Sequence, residues 1–357
     1  MHGLAAVPDS LFGAKEGIFM TKNRLLAMLT ACALCLGLLT ACGTQSTGSG
    51  QMEDNGPITL FLSQQDDYLT VLQQECAKAA EANGYQFHME DAEGDQDKQI
   101  SQIKQAVKKG ESAFLVNLVD PSRADEVIKA AGNRGIVFLN REPEDHAVLD
   151  QKHIYVGSEE ESAGELQGQV LAEYCQSEGM KEIRYLLLTG PESLSSSHQR
   201  ADAVLNIMNE TGFRMKLLTA EPLECDYLRS TAEEQVAAQL STGLKPEEID
   251  CIISTNDAMA LGAMDALKTV DPEAEPIVIG VDGIPDALQA IHDGTMMMTA
   301  YQDASRQAQT AIQVANNLNH GYPYNQGITV ADSVDDNIFW ISFQAVTFDN
   351  VGSFLNS

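Results

Sequence analysis

Residues 254–263 read STNDAMALGA, and residues 277–291 read IVIGVDGIPDALQAI. In each stretch a short apolar run of β character stops at a polar residue and gives way to a helix-period pattern. Asn256 and Asp282 therefore fall at the carboxyl ends of two strands. A third such end is LVNLVD, residues 115–120, which carries Asn117. In open α/β sheets this rim is where ligands bind.

Outward from these stretches, apolar strands alternate with amphipathic helices. Strands are expected at 58–63, 85–90, 113–117 and 136–140, with helices at 68–83, 97–109 and 121–133 between them. A second series starts with a strand at 153–156. It continues with strands at 182–188, 213–219, 251–254 and 277–281, and helices at 160–177, 197–211, 230–242 and 257–269. Repeated βαβ units with short connections predict parallel, doubly wound sheets, and two series predict two lobes facing across a cleft. Gly84, Gly110, Gly135 and Gly212 stand where left-handed helix C-caps are expected.

The length of 357 residues and 44% apolar content suffice for two proper cores. The formal charge is −30, and removing residues 1–41, with three bases and two acids, leaves about −31. Nucleic acid is excluded as a partner because it requires a basic footprint. The acidic surface reads as a solvated one.

Lys22 and Arg24 precede an apolar run at 25–39, closed by Leu39-Thr40-Ala41-Cys42. This describes a secretory signal peptide over residues 1–41, with Met20 as the expected initiator. The closing four residues resemble a bacterial lipobox, which implies a diacylglycerol on Cys42 and anchorage at the extracytoplasmic face. The competing reading is a membrane helix, but the apolar run is shorter than the ~20 residues a span needs. Residues 42–56 are small and polar and read as a tether.

Of seven cysteines, Cys76, Cys175, Cys225 and Cys251 remain beyond this segment, without CxxC spacing or clustered histidines. No zinc site is expected. Buried thiols fit their contexts, and pairing in an exported protein stays open. No G-x-S-x-G elbow, phosphate loop or dinucleotide fingerprint occurs, so no enzyme and no cofactor are expected. The acidic runs Asp66-Asp67 and Glu159-Glu160-Glu161 read as helix starts.

Together the quoted motifs resemble the periplasmic-type sugar-binding proteins of ABC transporters, the type I solute-binding proteins, from about residue 58 to the end. The nearest branch is the glucose/galactose-binding one. The resemblance implies two doubly wound parallel-sheet lobes joined by a three-segment hinge, the first holding 57–141 and 303–335, the second 142–302 and 336–357. It implies ligand contacts from Asp67 in QQDDYL, Asn117, Arg141 in FLNREP, Arg200 in SSSHQRAD, Tyr227 in ECDYLR, Asn256, Asp282 and Gln302 in TAYQDA. Such planar, bidentate groups suit a ring of hydroxyls that both donate and accept. Asn256 equally suits a helix N-cap, and Asp282 a turn before Gly283.

The implied function is capture of a small sugar, galactose- or glucose-like or a pentose, by hinge closure and its delivery to an ABC permease. The partners would be that permease, its ATPase and the membrane, with the binding protein a monomer. A sensor that presents its ligand to a chemoreceptor or histidine kinase remains the alternative. The sequence departs from the glucose/galactose pattern at several points. The histidine and aspartate before the loop arginine fall at Leu194 and Ser196, and the stacking phenylalanine at Leu69, beside Tyr68. Gln302 and Arg141 resemble the ribose-binding branch instead. Only residues 178–181 join helix and strand where the glucose/galactose branch carries a calcium loop, so no metal is expected.

Overall fold

The computed structural model describes residues 56–355. The expected signal peptide, the lipid site Cys42 and the tether up to residue 55 lie outside the described residues.

Eight elements open the fold: β1 (Pro57–Leu62), α1 (Asp67–Ala82), β2 (Gln86–Asp91), α2 (Gln96–Lys109), β3 (Ala113–Val116), α3 (Ala124–Ala131), β4 (Gly135–Leu139) and β5 (His153–Gly157). There follow α4 (Glu160–Ser177), β6 (Glu182–Thr189), α5 (Ser195–Glu210), β7 (Arg214–Leu217), β8 (Leu223–Glu224), α6 (Arg229–Ser241), β9 (Cys251–Ser254), α7 (Asp257–Val270), β10 (Ile277–Asp282), α8 (Pro285–His292) and β11 (Met298–Tyr301). The chain closes with α9 (Ala304–Asn319), β12 (Ser333–Asp335), β13 (Ile338–Trp340) and β14 (Gln344–Thr347).

These strands make two sheets. The first runs β12-β13-β5-β4-β3-β1-β2 and the second β14-β11-β10-β9-β6-β7, with β8 also on β6. Pairing is parallel except for β12 with β13 and β11 with β14. Strands buried on both faces, such as AFLV in β3 and CIIS in β9, are what such sheets require. In the second sheet Leu186, Leu188, Ile252 and Val278 face α6 and α7. Tyr185, Leu187, Cys251, Ile253 and Ile279 face α4 and α5.

The lobe boundaries differ from those expected. Residues 153–157 do not open the second sheet; β5 pairs with β4 through Ile136↔His153 to Leu139↔Val156, and β13 pairs with β5. The chain thus passes between sheets after Gly157, after Tyr301 and after Trp340. Apolar periodicity marks β5 as a strand but carries no information on its neighbour. Among the described residues no helix is long and apolar enough to cross a membrane.

Local chemistry fixes the helix ends. Asp66, Asp95 and Asn256 cap α1, α2 and α7 by accepting from backbone N–H groups of the first turn. Gly110 closes α2 at φ 89°, a left-handed conformation that a side chain resists. Gly135 is no such cap. It opens β4 with ordinary φ, and Gly132 (φ 70°) ends α3 instead; a Cβ on Gly135 would press against Leu318.

Candidate ligand-binding site

The carboxyl ends of the two sheets face each other across a narrow cleft that encloses about 60 Å3 of free space.

Arg200 anchors the second lobe's wall. It is 5% exposed on α5. Its Nε donates to Glu160 Oε2 at 2.6 Å and its Nη1 to the Thr255 carbonyl at 2.8 Å, while Asp282 Oδ1 lies 3.6 Å from Nη1. Phe343, on the third passage between lobes, sits with its ring centroid 5.7 Å from the guanidinium. Burial opposes the charge of Arg200, but Glu160 and Asp282 outweigh it and hold the group protonated. Gly164 and Gly168 of α4 make this possible: they bring α4 against Arg200, Ala203 and Ile207 of α5, one turn beyond Glu160.

Asp282 ends β10 at φ 118°, an unusual conformation for a residue with a Cβ. Beneath it Asp257, fully buried, accepts from the Gly283 and Ile284 N–H groups at 2.6 and 3.1 Å and from Thr299 Oγ1 at 2.8 Å. Burial pushes Asp257 up to about 7 against these stabilising bonds. Burial also raises Asp282, only partly opposed by Arg200, with Asp257 and Asp66 adding to the rise.

Asn256 serves both of its sequence readings. Its Oδ1 accepts from Met259 N at 2.9 Å as the cap of α7, and it lines the cleft, its Nδ2 donating to the Tyr227 carbonyl at 3.2 Å. Tyr227 takes φ 62°, and its hydroxyl shares hydrogen bonds with Ser196 and Ser197 at 3.0 and 2.8 Å. Gly190 leaves room for that ring, since a Cβ there would overlap it.

From the first lobe come Asp66, Tyr68, Asn140, Arg141 and Glu142. Burial raises Asp66 to about 6, against the Leu69 N–H and Arg141. Arg141 Nη1 donates to the Leu118 carbonyl at 2.7 Å. Gln302, 2% exposed at the second passage, accepts from Asn140 Nδ2 at 3.4 Å through Oε1, while its Nε2 has no partner among the described residues.

Six of the eight expected residues thus line one cleft: Arg141, Arg200, Tyr227, Asn256, Asp282 and Gln302. Asp67 does not. It is the exposed first residue of α1, and the cap Asp66 takes the cleft position one residue earlier, with Tyr68 as the aromatic. Asn117 does not line the cleft either. It is 0% exposed below it, accepting from Ser63 Oγ at 2.6 Å and donating to Leu139 O and Asn140 Oδ1 at 3.2 Å each. Sequence reading missed Asn140, Glu142 and Glu160; the only signal for Glu160 was an acidic helix start. Leu194 and Ser196, the departures from the branch pattern, both face the cleft.

Residues 58–322 match the family described as periplasmic binding protein domain, and the chain belongs to that family. It is 30% identical over 300 residues to the D-galactose/methyl-galactoside binding periplasmic protein of Haemophilus influenzae, covering 81% of this chain and 88% of the relative. It is 25% identical over 296 residues to the ribose import binding protein of Bacillus subtilis, covering 81% and 91%. An ABC transporter solute binding protein from Bacillus halodurans with bound myo-inositol superposes with a TM-score of 0.71 at 25% identity, covering 85% of this chain and 98% of that one.

Proposed function

We propose that this protein is an extracytoplasmic solute-binding protein that captures a small sugar or cyclic polyol between its lobes and delivers it to an ABC permease. The observation that carries this reading is the convergence of planar polar groups from both sheets on one cleft: Asp66, Arg141 and Asn140 from one side, Arg200, Asn256 and Asp282 from the other. Two relatives named for galactose and ribose, and a solved neighbour with bound myo-inositol, support this ligand class.

The mechanism is hinge closure. A ligand touching both walls shifts an open-closed equilibrium toward the closed form by its contacts to the second wall. Tyr68 and Tyr227 are the aromatic residues lining the cleft, and an aromatic face would suit the C–H side of a sugar ring. Cys42 would tie the mature chain to the membrane by its lipid, with residues 43–55 as tether. Domain movement would carry 57–157 with 304–340 against 160–301 with 344–355, following sheet membership.

The test is a thermal-shift screen of the mature protein against galactose, glucose, ribose, xylose, arabinose and myo-inositol. A ligand bound by the native state raises the melting temperature by linkage, about 2.7 kcal/mol of stabilisation at a hundredfold excess over Kd. A shift with one of them supports the reading; a flat response to all of them removes it.

A further inference from the structure

Resting on the reading of this cleft as a polyol site, we infer that its preferred ligand carries a positive charge: an amine-bearing monosaccharide or cyclitol rather than a neutral one. Four carboxylates line the cleft, Asp66, Glu142, Glu160 and Asp282, against two guanidiniums, Arg141 and Arg200. The guanidiniums are already committed. Arg200 is bonded to Glu160 and to the Thr255 carbonyl, and Arg141 to the Leu118 carbonyl. Glu142 has His146 at 2.8 Å outside the cleft.

Asp66 and Asp282 are left facing each other's charge from opposite lobes. Asp66 accepts from the backbone N–H groups of its own helix cap, Leu69 and more weakly Tyr68. Asp282 is ion-paired with Arg200 at 3.6 Å but not hydrogen-bonded to it. Two further groups point to a ligand: Tyr68 and Gln302 line the same cleft, 6% and 2% exposed, and Tyr68 Oη and Gln302 Nε2 have no partner among the described residues.

A neutral polyol would satisfy Tyr68 and Gln302. It would still leave four carboxylates against two guanidiniums in a desolvated cleft, an expensive arrangement. An ammonium between Asp66 and Asp282 supplies a positive charge and three donors, and charge-assisted bonds are the stronger kind. Burial raises the proton affinity of both carboxyls, and neighbouring acids add to it, Asp67 at Asp66 and Asp257 at Asp282. Asp282 is faced by Arg200, Asp257, Asp66, Glu160 and the Tyr68 hydroxyl, and Asp66 by Arg141 and Asp67; acids outnumber bases around each aspartate once it is counted.

The experiment is isothermal titration of the mature protein with matched pairs: D-galactosamine against D-galactose, D-glucosamine against D-glucose, and scyllo-inosamine against scyllo-inositol. At least one amine should bind about tenfold or more tightly than its parent, the worth of one charge-assisted bond. Its affinity should rise from about pH 5 to about 7.5, below the amine's own pKa, with proton release visible as a dependence on buffer ionisation enthalpy. Asp66→Asn should shrink the amine-to-parent ratio. Parents that bind as tightly as their amines, or a ratio unmoved by Asp66→Asn, would overturn the charge preference and leave polyol binding standing. Absence of binding by both members of every pair would overturn the polyol reading and the preference with it.

Discussion

Gly164 of α4 lies against the backbone carbonyl of Arg200 in α5, so closely that a methyl group has no room between them. The helix pair is thereby held at a separation that lets Glu160, one turn earlier, reach the Arg200 guanidinium. A glycine in a helix interior normally weakens it by about 1 kcal/mol relative to alanine. Here close packing outweighs propensity.

Gly164→Val should therefore destabilise the protein despite its better helix propensity, by about 1–3 kcal/mol, the usual range for overpacking. Because the clash displaces Arg200, sugar affinity should fall as well. Urea denaturation and titration calorimetry on the same variant measure both. A variant with unchanged stability would mean that α4 and α5 part at no expense.

Asp66→Ala and Asp67→Ala distinguish the cleft residue from its neighbour. Asp66→Ala removes both the helix cap, worth about 0.5–2 kcal/mol, and the cleft carboxylate, so stability and ligand affinity should both drop. Asp67→Ala should leave affinity within about twofold, because an exposed side chain off the cleft contributes little. The reverse order of effects would restore Asp67 to the site.

Asp282→Ala is expected to abolish ligand binding while the protein stays folded. The carboxylate supports no described hydrogen bond within the second lobe, and its removal relieves an unfavourable burial. Circular dichroism and melting temperature report the fold, and calorimetry the binding. Retained affinity would take Asp282 out of the site.

The buried acid Asp257 makes stability depend on pH. Its folded pKa, about 7, lies above the unfolded aspartate value, so the native state holds the extra proton. Its contribution is complete at pH below about 4 and is lost as pH rises through about 7. The unliganded protein should accordingly melt several degrees higher near pH 5 than near pH 8. Asp257→Asn should flatten that slope, and an unchanged slope would assign it to other groups.

Cys42→Ser should release the protein from the membrane fraction. Continued lipid labelling of that variant would refute the anchor.

Much of this fold was legible because parallel strands buried on both faces appear as unbroken apolar runs, and helices as a different period. What the pattern could not carry was partnership. The run HIYVG of β5 looks the same whether it starts the second sheet or completes the first, and β12, β13 and β14, at three or four residues each, are too short to show a period. Asn256 and Asp282 stood out because a polar residue halts an apolar run. Glu160 did not, since an acid at a helix start is ordinary in a chain with 52 acidic residues. The choice between Asp66 and Asp67 turned on a single residue, the extended N-cap that lines the cleft against the first helical residue, which is exposed.

Gln302 belongs to a passage between the lobes, and the passages are stitched together: Ile341 N donates to the Gly157 carbonyl at 2.8 Å and Gln307 Nε2 to Ser158 Oγ at 3.1 Å. If the lobes turn about this seam, Gln302 sits near the axle, where a given rotation produces the least travel. Asp66 and Arg200, farther out, sweep a longer arc. Opening would then peel a sugar from the rim inward, with the amide of Gln302 the last hand to let go.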